Sequence, residues 1–423
     1  MTKCAFIPNF LRFYNILWKA ALPFLRRNHR LAPSFSIRTE SGHLAPADIW
    51  IQAASAGEAF LALSILRTLA PDHPVNVLVT TTTDQGMGIL EKGLSTPSFH
   101  PNVKPVLNWF PFDMPDTVNS AVKGVNPQIM ILLETELWPA LLWALKQNKS
   151  KVLILNARLS EKSSRHYRIT RRLWNCLAPD GIMATSARDA RRYEQVFTHT
   201  PVTIMDNIKF DIMETAPPDS SKSSLARFLP GGLPLSILAS VRRQEEPEMI
   251  HLISGLKQKF PDQVIALFPR HMHRIDPIRK LLTKNRIDFV LGSKLTARLS
   301  GPGIILWDQF GELRAAYGHA ATVFVGGSLH PLGGQNFLEP AVQGIPTVTG
   351  PYWEDFAWVG NEIFDRGIVA RCSDWHAVAR TMIEHLKSAN TAGTGQQAKA
   401  YIKRRRGGSQ KACQTILTTL KNN

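Results

Sequence analysis

Ile49-Trp-Ile-Gln-Ala-Ala-Ser-Ala-Gly-Glu58, running on into Ala59-Phe-Leu-Ala-Leu-Ser-Ile-Leu66, is a short apolar run, a turn of small residues and then a helical pattern. A run this short and this apolar is what a strand buried on both faces looks like. The same signal recurs at 75–80, 129–133, 152–155 and 181–185, and again at 235–239, 264–268, 287–291, 304–307, 322–325, 347–349 and 368–370. The spacers between these runs are long enough for crossover helices, which predicts an α/β chain with parallel sheets. Between the two sets, residues 213–224 (Met-Glu-Thr-Ala-Pro-Pro-Asp-Ser-Ser-Lys-Ser-Ser) have the composition of a linker. The expectation is two Rossmann-like domains with a central cleft, each presenting the carboxyl ends of its strands to it.

The length of 423 residues, 44% hydrophobic and 20% charged, suits two or three domains with full cores and excludes disorder, collagen and a disulfide miniprotein. Fifty Lys plus Arg against 33 Asp plus Glu leave +17 at pH 7, enough to attract nucleic acid, anionic lipid or phosphorylated small molecules. Cys4, Cys176, Cys372 and Cys413 are far apart and form no C-x-x-C pair, so they read as reduced thiols in a cytosolic compartment, with neither a disulfide framework nor a zinc site.

Part of the surplus sits at the N-terminus, where Lys3, Arg12, Lys19, Arg26, Arg27, Arg30 and Arg38 occur with no acid among them. Arg12 and Lys19 cut the apolar matter into pieces too short for a membrane span. A helix over 9–22 places Arg12, Asn15 and Lys19 on one stripe with apolar side chains around the rest, the form of an interfacial helix on an anionic leaflet. A helix docked on the protein's own surface is the alternative.

Several loops at strand ends carry chemistry. Glu58 follows small residues at a strand-to-helix turn; it reads either as an N-terminal charge that stabilises the helix or as a general base for a hydroxyl. Glu134-Thr-Glu-Leu-Trp-Pro139 puts two carboxylates at another strand end, and at least one needs a partner such as Arg158 in Asn156-Ala-Arg-Leu-Ser160. Asn207-Ile-Lys-Phe-Asp211 offers Lys209, either a stabiliser of leaving-group charge or a surface lysine. Phe268-Pro-Arg-His-Met-His-Arg274 places Arg270 where it suits a phosphate; His271 and His273 read as no metal site, because alternate residues of an extended segment point apart and no third ligand is near. Trp307-Asp-Gln-Phe-Gly-Glu312 follows a further strand. Gly326-Gly-Ser-Leu-His-Pro-Leu-Gly-Gly-Gln-Asn-Phe-Leu-Glu-Pro340 reads as a glycine-rich loop entering a helix near Gln335 or Asn336, its N–H groups cradling phosphate while Glu339 accepts from a ribose. No Asp-x-Asp occurs, which fits a donor carrying one phosphate and no metal.

With these motifs in this order, the chain from about Arg26 to its C-terminal helix resembles the 3-deoxy-D-manno-octulosonic acid (Kdo) transferases of lipopolysaccharide assembly, glycosyltransferase family 30. The motifs that carry the likeness are Ala54-Ser-Ala-Gly-Glu58, Glu134-Thr-Glu-Leu-Trp-Pro139, Asn156-Ala-Arg-Leu-Ser160, Asn207-Ile-Lys-Phe-Asp211, Pro269-Arg-His271, Phe310-Gly-Glu-Leu313 and Gly326-Gly-Ser-Leu329 with Gly333-Gly-Gln-Asn-Phe-Leu-Glu-Pro340.

The resemblance implies a GT-B fold, a CMP-Kdo donor, no cofactor and no metal, and inverting transfer to a lipid A precursor at the cytoplasmic face of the inner membrane. It implies Glu58 as base, with Glu134 and Lys209 stabilising the transition state. It implies CMP contacts from Pro269, Arg270, Phe310, Gly311, Glu312, Asn336, Phe337, Leu338 and Glu339. The corresponding layout is a membrane-associating arm at 1–38, an acceptor domain at 39–212, the linker at 213–224, a CMP-Kdo domain at 225–390 and a C-terminal helical segment at 391–423, for which a return to the first domain is one option. The chain departs from the family pattern at Gln52 and Gln335, where His is common, at Met272, where Pro is common, and in Ser240-Val-Arg-Arg-Gln-Glu-Glu246, where the family has Ser-Thr-His-Glu-Gly-Glu-Glu. Two rivals remain at this point. One is a GT-B enzyme using a UDP-sugar. The other is a nucleic-acid-binding protein, disfavoured because the densest basic cluster adjoins an apolar amphipathic segment, so the partners expected are CMP-Kdo, the lipid acceptor and an anionic membrane surface.

Overall fold

The computed structural model describes residues 4–28, 31, 34–40, 44–96, 98–213, 223–388 and 394–422. The chain forms two compact units, Met1–Met213 with Arg405–Asn423, and Glu214–Arg404. Each is built on a seven-stranded parallel sheet with helices against it, the GT-B arrangement of two α/β units. Lys3, Arg30, linker residues 214–222 and residues 391–393 of the expected C-terminal segment lie outside the described residues.

In the first unit β1 (Ile49–Ala53), β2 (Val75–Thr81), β3 (Val103–Trp109), β4 (Ile129–Leu133), β5 (Lys151–Ala157), β6 (Gly181–Ala184) and β7 (Val202–Ile204) lie in the order 3-2-1-4-5-6-7. β1 pairs with both β2 and β4, so the order reverses at these two strands, and their carboxyl ends form the topological switch point. β1 and β4 are buried throughout, with Trp50 and Met130 in one face's core and Ile49, Ile51 and Ile131 in the other's. β3 and β7 were not anticipated: β3 is an edge strand carrying Lys104 and Pro105, and β7 has only three residues, two of them exposed.

The N-terminal helix runs from Ile7 to Arg26 and docks on this unit. Ile7 and Leu11 are buried in its core, with Phe10 and Tyr14 packed beside them. Two residues of its expected polar stripe meet the protein itself: Asn15 donates to Asp116 at 2.7 Å and Lys19 pairs with the same carboxylate at 3.2 Å, while Arg12 stays exposed. Tyr14 donates to buried Asp113, which also accepts from the Ala140 and Leu141 amides at the start of the helix Pro139–Gln147. Burial pushes the Asp113 carboxyl up to about 7. A second apolar stripe, Phe13, Ile16, Leu17 and Phe24, is exposed. Among the described residues no helix is long and apolar enough to cross a membrane.

Cys4 and Cys176 are bonded to each other, contrary to the expectation of four free thiols; 172 residues separate them, and folding brings the start of the N-terminal helix to the helix Arg171–Cys176. Cys372 and Cys413 are free and buried.

The last helix, Gly408–Lys421, belongs to the first unit. Ala412, Cys413 and Ile416 enter its core, and Ser409 meets Ser64 of the helix Ala56–Thr68 at 2.8 Å. The start of this helix is held by Asp211, which accepts from the Gly407 and Ser409 amides at 2.7 and 2.6 Å.

In the second unit β8 (Leu235–Val241), β9 (Val264–Pro269), β10 (Val290–Leu291), β11 (Gly303–Leu306), β12 (Thr322–Val325), β13 (Thr347–Thr349) and β14 (Ala370–Arg371) lie in the order 10-11-9-8-12-13-14. Here β8 pairs with β9 and β12, so its switch point lies at the ends of β8 and β12. The run at 287–291 supplies only a two-residue strand, and that at 368–370 shifts to 370–371.

Candidate active site

The residues expected to do chemistry in the first unit come to its switch point. Ser55 is the N-cap of the helix Ala56–Thr68; its hydroxyl accepts from the Glu58 amide at 3.3 Å, and the Glu58 carboxylate accepts from the Ala54 amide at 2.7 Å and the Ser55 hydroxyl at 3.0 Å. These bonds tie Glu58 to the first turn, so its helix-stabilising role is present in the structure. Capping does not exhaust the residue. Glu58 is only 7% exposed, and burial, then Glu136 and Glu134, raise its pKa to about 8. A carboxylate tuned towards neutrality beside other acids has the properties of a general acid or base.

Glu134 follows β4 with φ +55°, and Asn156 near the end of β5 has φ +53°. Two non-glycine residues in the left-handed region at adjacent strand ends are a local cost that packing must offset. Lys209 Nζ lies 2.7 Å from Glu134 Oε1, and Arg158 Nη1 lies 3.8 Å from the same oxygen. Two cations thus share one carboxylate, leaving the trio with one net positive charge. The Asn-x-Lys motif is explained by its bonds: Asn156 Oδ1 accepts from the Ile208 amide and Asn207 Oδ1 from the Lys209 amide, both at 2.9 Å. Arg406, from the returning C-terminal segment, donates to the Phe210 and Met213 carbonyls and holds the same turn from below. The Tyr193 hydroxyl lies 3.0 and 3.1 Å from the Glu134 and Arg158 carbonyl oxygens.

Glu136 was not singled out from sequence. It accepts from Trp138 Nε1 at 2.8 Å, and burial raises its pKa, as does Glu134. Its signal was in the Glu-Thr-Glu spacing, which names two acids without saying which faces Glu58.

The expected nucleotide residues lie in the second unit and fare unevenly. Pro269 ends β9, and the exposed Arg270 follows it, its amide bonded to the Val241 carbonyl. The His271 pKa is lowered by partial burial and then by Arg270, Arg242 and His273, so the ends of β8 and β9 gather positive charge. The His271 and His273 rings stack at 5.4 Å, which corrects the expectation that they point apart: residues 272–274 form a 3-10 turn and are not extended. Among the described residues no group of three or more His, Cys, Asp or Glu is arranged to hold a metal ion.

Phe310 is 88% exposed beside Gly311, whose φ is +91°. The Glu312 carboxylate accepts from the Ser224 amide and hydroxyl. Asn336 donates to Glu339 at 2.8 Å and accepts from the Leu338 amide. Phe337 and Leu338 are fully buried, Phe337 among Trp353, Phe356 and Phe364, so their side chains belong to the core and only backbone remains to meet a ligand.

The glycine-rich loop corrects the sequence expectation twice. The helix begins at Leu338, later than Gln335 or Asn336, and the N–H groups of Gly327, Ser328 and Leu329 are occupied by the carboxylate of Glu245. The first half of the loop therefore cradles an anion, but one supplied by the chain.

Residues 25–212 match the family described as 3-Deoxy-D-manno-octulosonic-acid transferase (kdotransferase). The chain is 30% identical over 335 residues to the 3-deoxy-D-manno-octulosonic acid transferase of Haemophilus influenzae, covering 78% of this chain and 77% of that protein. It is 28% identical over 347 residues to the enzyme of the same description from Bordetella pertussis, covering 80% and 78%. The crystal structure of a glycosyltransferase from Rickettsia africae covers 89% of this chain and 99% of its own with a TM-score of 0.58 at 11% identity, a likeness of fold.

Proposed function

The chain belongs to the Kdo transferase family, and from that premise we propose that it moves Kdo from CMP-Kdo to a lipid A precursor, lipid IVA, with inversion at the anomeric carbon. The observation that carries this reading is the buried Glu58, raised to about 8 at the switch point beside Glu134 and Glu136. Glu58 takes the proton of an acceptor sugar hydroxyl, the oxygen attacks the anomeric carbon, and the CMP phosphate leaves from the opposite face. Positive charge grows on the sugar and negative charge on the phosphate. Glu134 answers the first; Lys209, supported by Arg158, and Arg270 suit the second, as preorganised charge that needs no reorganisation during the step.

The bonds that hold Glu58 fit this role. The Ala54 amide and Ser55 hydroxyl fix one orientation, so the proton is taken by a group already in place. A carboxylate raised to about 8 has a basic form that is a better match to a hydroxyl than an ordinary carboxylate.

CMP contacts are assigned to Pro269, Arg270, Phe310, Gly311, Glu312, Asn336 and Glu339, with Phe337 and Leu338 contributing through backbone. The reaction is assigned to the cytoplasmic face of the inner membrane, without a metal. Supporting the membrane assignment, the N-terminal helix keeps Phe13, Ile16, Leu17 and Phe24 exposed after docking, next to Arg12 and Lys19.

Incubation with CMP-Kdo generated in situ and a tetraacylated lipid A precursor, followed by mass analysis, tests the reading. Products heavier by one or more Kdo units are expected, and an unmodified acceptor would refute it. Thermal stabilisation by CMP but not by UMP or UDP separates it from a UDP-sugar transferase.

A further inference from the structure

Glu245 is fully buried, in the segment 240–246 where the chain departs from the family pattern. Its Oε2 accepts from the Gly327 amide at 2.6 Å and the Arg242 amide at 3.0 Å, and its Oε1 from the Ser328 and Leu329 amides at 2.8 and 3.0 Å. Four backbone donors converging on one carboxylate is the geometry of a backbone nest, the arrangement that binds phosphate elsewhere. The fit is close on the loop's side too. A Cβ on Gly326 would lie 2.9 Å from Glu245 Oε2 and 3.0 Å from Val241 Cα, and Gly327 has φ +68°.

The clamp is connected to the rest of the loop. The Gly334 amide donates to the Gly327 carbonyl at 2.7 Å, the Tyr352 amide to the Ser328 carbonyl at 3.0 Å, and the Asp355 amide to the Gly333 carbonyl at 2.9 Å. The Ser328 hydroxyl donates to the Val325 carbonyl and accepts from the Gly350 amide. Residues 327–329 are therefore a strut, fixed at one end by Glu245 and bearing on 333–334, immediately before Asn336 and Glu339.

We propose that Glu245 is a positioning residue for the donor nucleotide: its carboxylate fills the nest at 327–329 in place of a ligand phosphate, and by doing so sets the position of 333–339, which meets the nucleotide. This rests on the reading of the second unit as the CMP-Kdo-binding one. A phosphate is excluded from 327–329 because every donor there is already used and a fixed anion occupies the centre. The phosphate is left to Arg270 and the second half of the loop. The two glycine pairs thus have different work, Gly326-Gly327 admitting the Glu245 carboxylate and Gly333-Gly334 admitting the Asp355 side chain and the backbone at Tyr352 and Trp353.

Hydrogen exchange on the intact chain reads this directly. The amides of 327–329 should be strongly protected without nucleotide and unchanged by CMP, while 333–337 gain protection. Glu245→Gln keeps the shape but turns one acceptor into a donor facing buried N–H groups, so CMP affinity by calorimetry should fall about tenfold or more. The KM for CMP-Kdo should rise likewise with kcat within a factor of about two, a split that general loss of structure would not produce. CMP-induced protection at 327–329, wild-type CMP affinity in Glu245→Gln, or a fall in kcat at unchanged KM would each overturn the proposal. If the variant does not fold, the exchange pattern of the wild type decides. A wild type in which CMP changes no amide anywhere overturns the donor reading and the proposal with it, and is recognised by the silence of 333–337.

Discussion

Glu58 and Glu245 occupy equivalent places. Each is buried, each follows the central strand at which its sheet reverses, and each is the third residue of a helical segment. They differ in what surrounds the carboxylate. Glu245 takes four backbone N–H groups, whereas Glu58 takes one amide and one hydroxyl and is set among other acids. A buried carboxylate saturated with donors is a strut; one left short of them and beside like charge keeps a proton to exchange. On the proposed roles the same fold uses one position twice, and the count of donors tells the two apart.

Removing the group at the reactive end of this comparison should have the largest effect. Glu58→Gln keeps the capping geometry but not the base, and should lower turnover by about 10²–10⁴-fold while calorimetric CMP affinity stays near the wild type. Retained turnover would make Glu58 a strut as well. Lys209→Met removes the cation closest to Glu134 and should cost about 10²–10³-fold in kcat, with Arg158→Met costing less because its contact is longer.

Glu58 should also declare itself in pH. Glu58 holds its proton to about 8 in the folded chain and releases it near 4.5 when unfolded. Between those values the folded state binds more protons, so this residue's contribution to stability falls as pH rises, and kcat/KM should rise with an inflection near 8. Glu136→Gln removes a repelling charge and should move that inflection to lower pH, measurable in the rate profile; an unmoved inflection would detach Glu136 from the site. Glu58→Gln should abolish the corresponding slope in thermal stability. The smallest effect expected is Asp211→Ala, which strips the bonds at the start of the helix Gly408–Lys421 and should lower unfolding free energy by about 0.5–2 kcal/mol in chemical denaturation.

The sheets were legible because buried parallel strands are short apolar runs with little else to be. β3 and β7 were not, since an edge strand with Lys104 and Pro105 and a three-residue exposed strand carry no such signal. At the site, Glu58, Glu134, Arg158 and Lys209 could be named because polar residues at strand ends stand out against apolar runs. Their company could not, because the Lys209 to Glu134 contact spans 75 positions and the clamp from Glu245 to Gly327 spans 82. The glycine-rich loop misled for a physical reason: a backbone nest is the same whether its anion is a ligand or a glutamate from elsewhere in the chain. The N-terminal helix left two partners open. Its polar stripe suited a lipid headgroup, but Asp116 on the folded surface offers the same charge.

The helix Gly408–Lys421 fills a core whose other walls, from Ile49 to Ile208, lie 200 or more positions earlier in the chain, with Arg406 and Asp211 fastening it beside Lys209. On the ribosome this imposes an order. The first unit emerges first, waits with an apolar groove open while the whole second unit is made, and can close over its lysine turn only when the last helix arrives. On the proposed reading, competence of the site around Lys209 is then a late event of synthesis, and a nascent chain stalled after the second unit should hold a complete second unit and an unfinished first one.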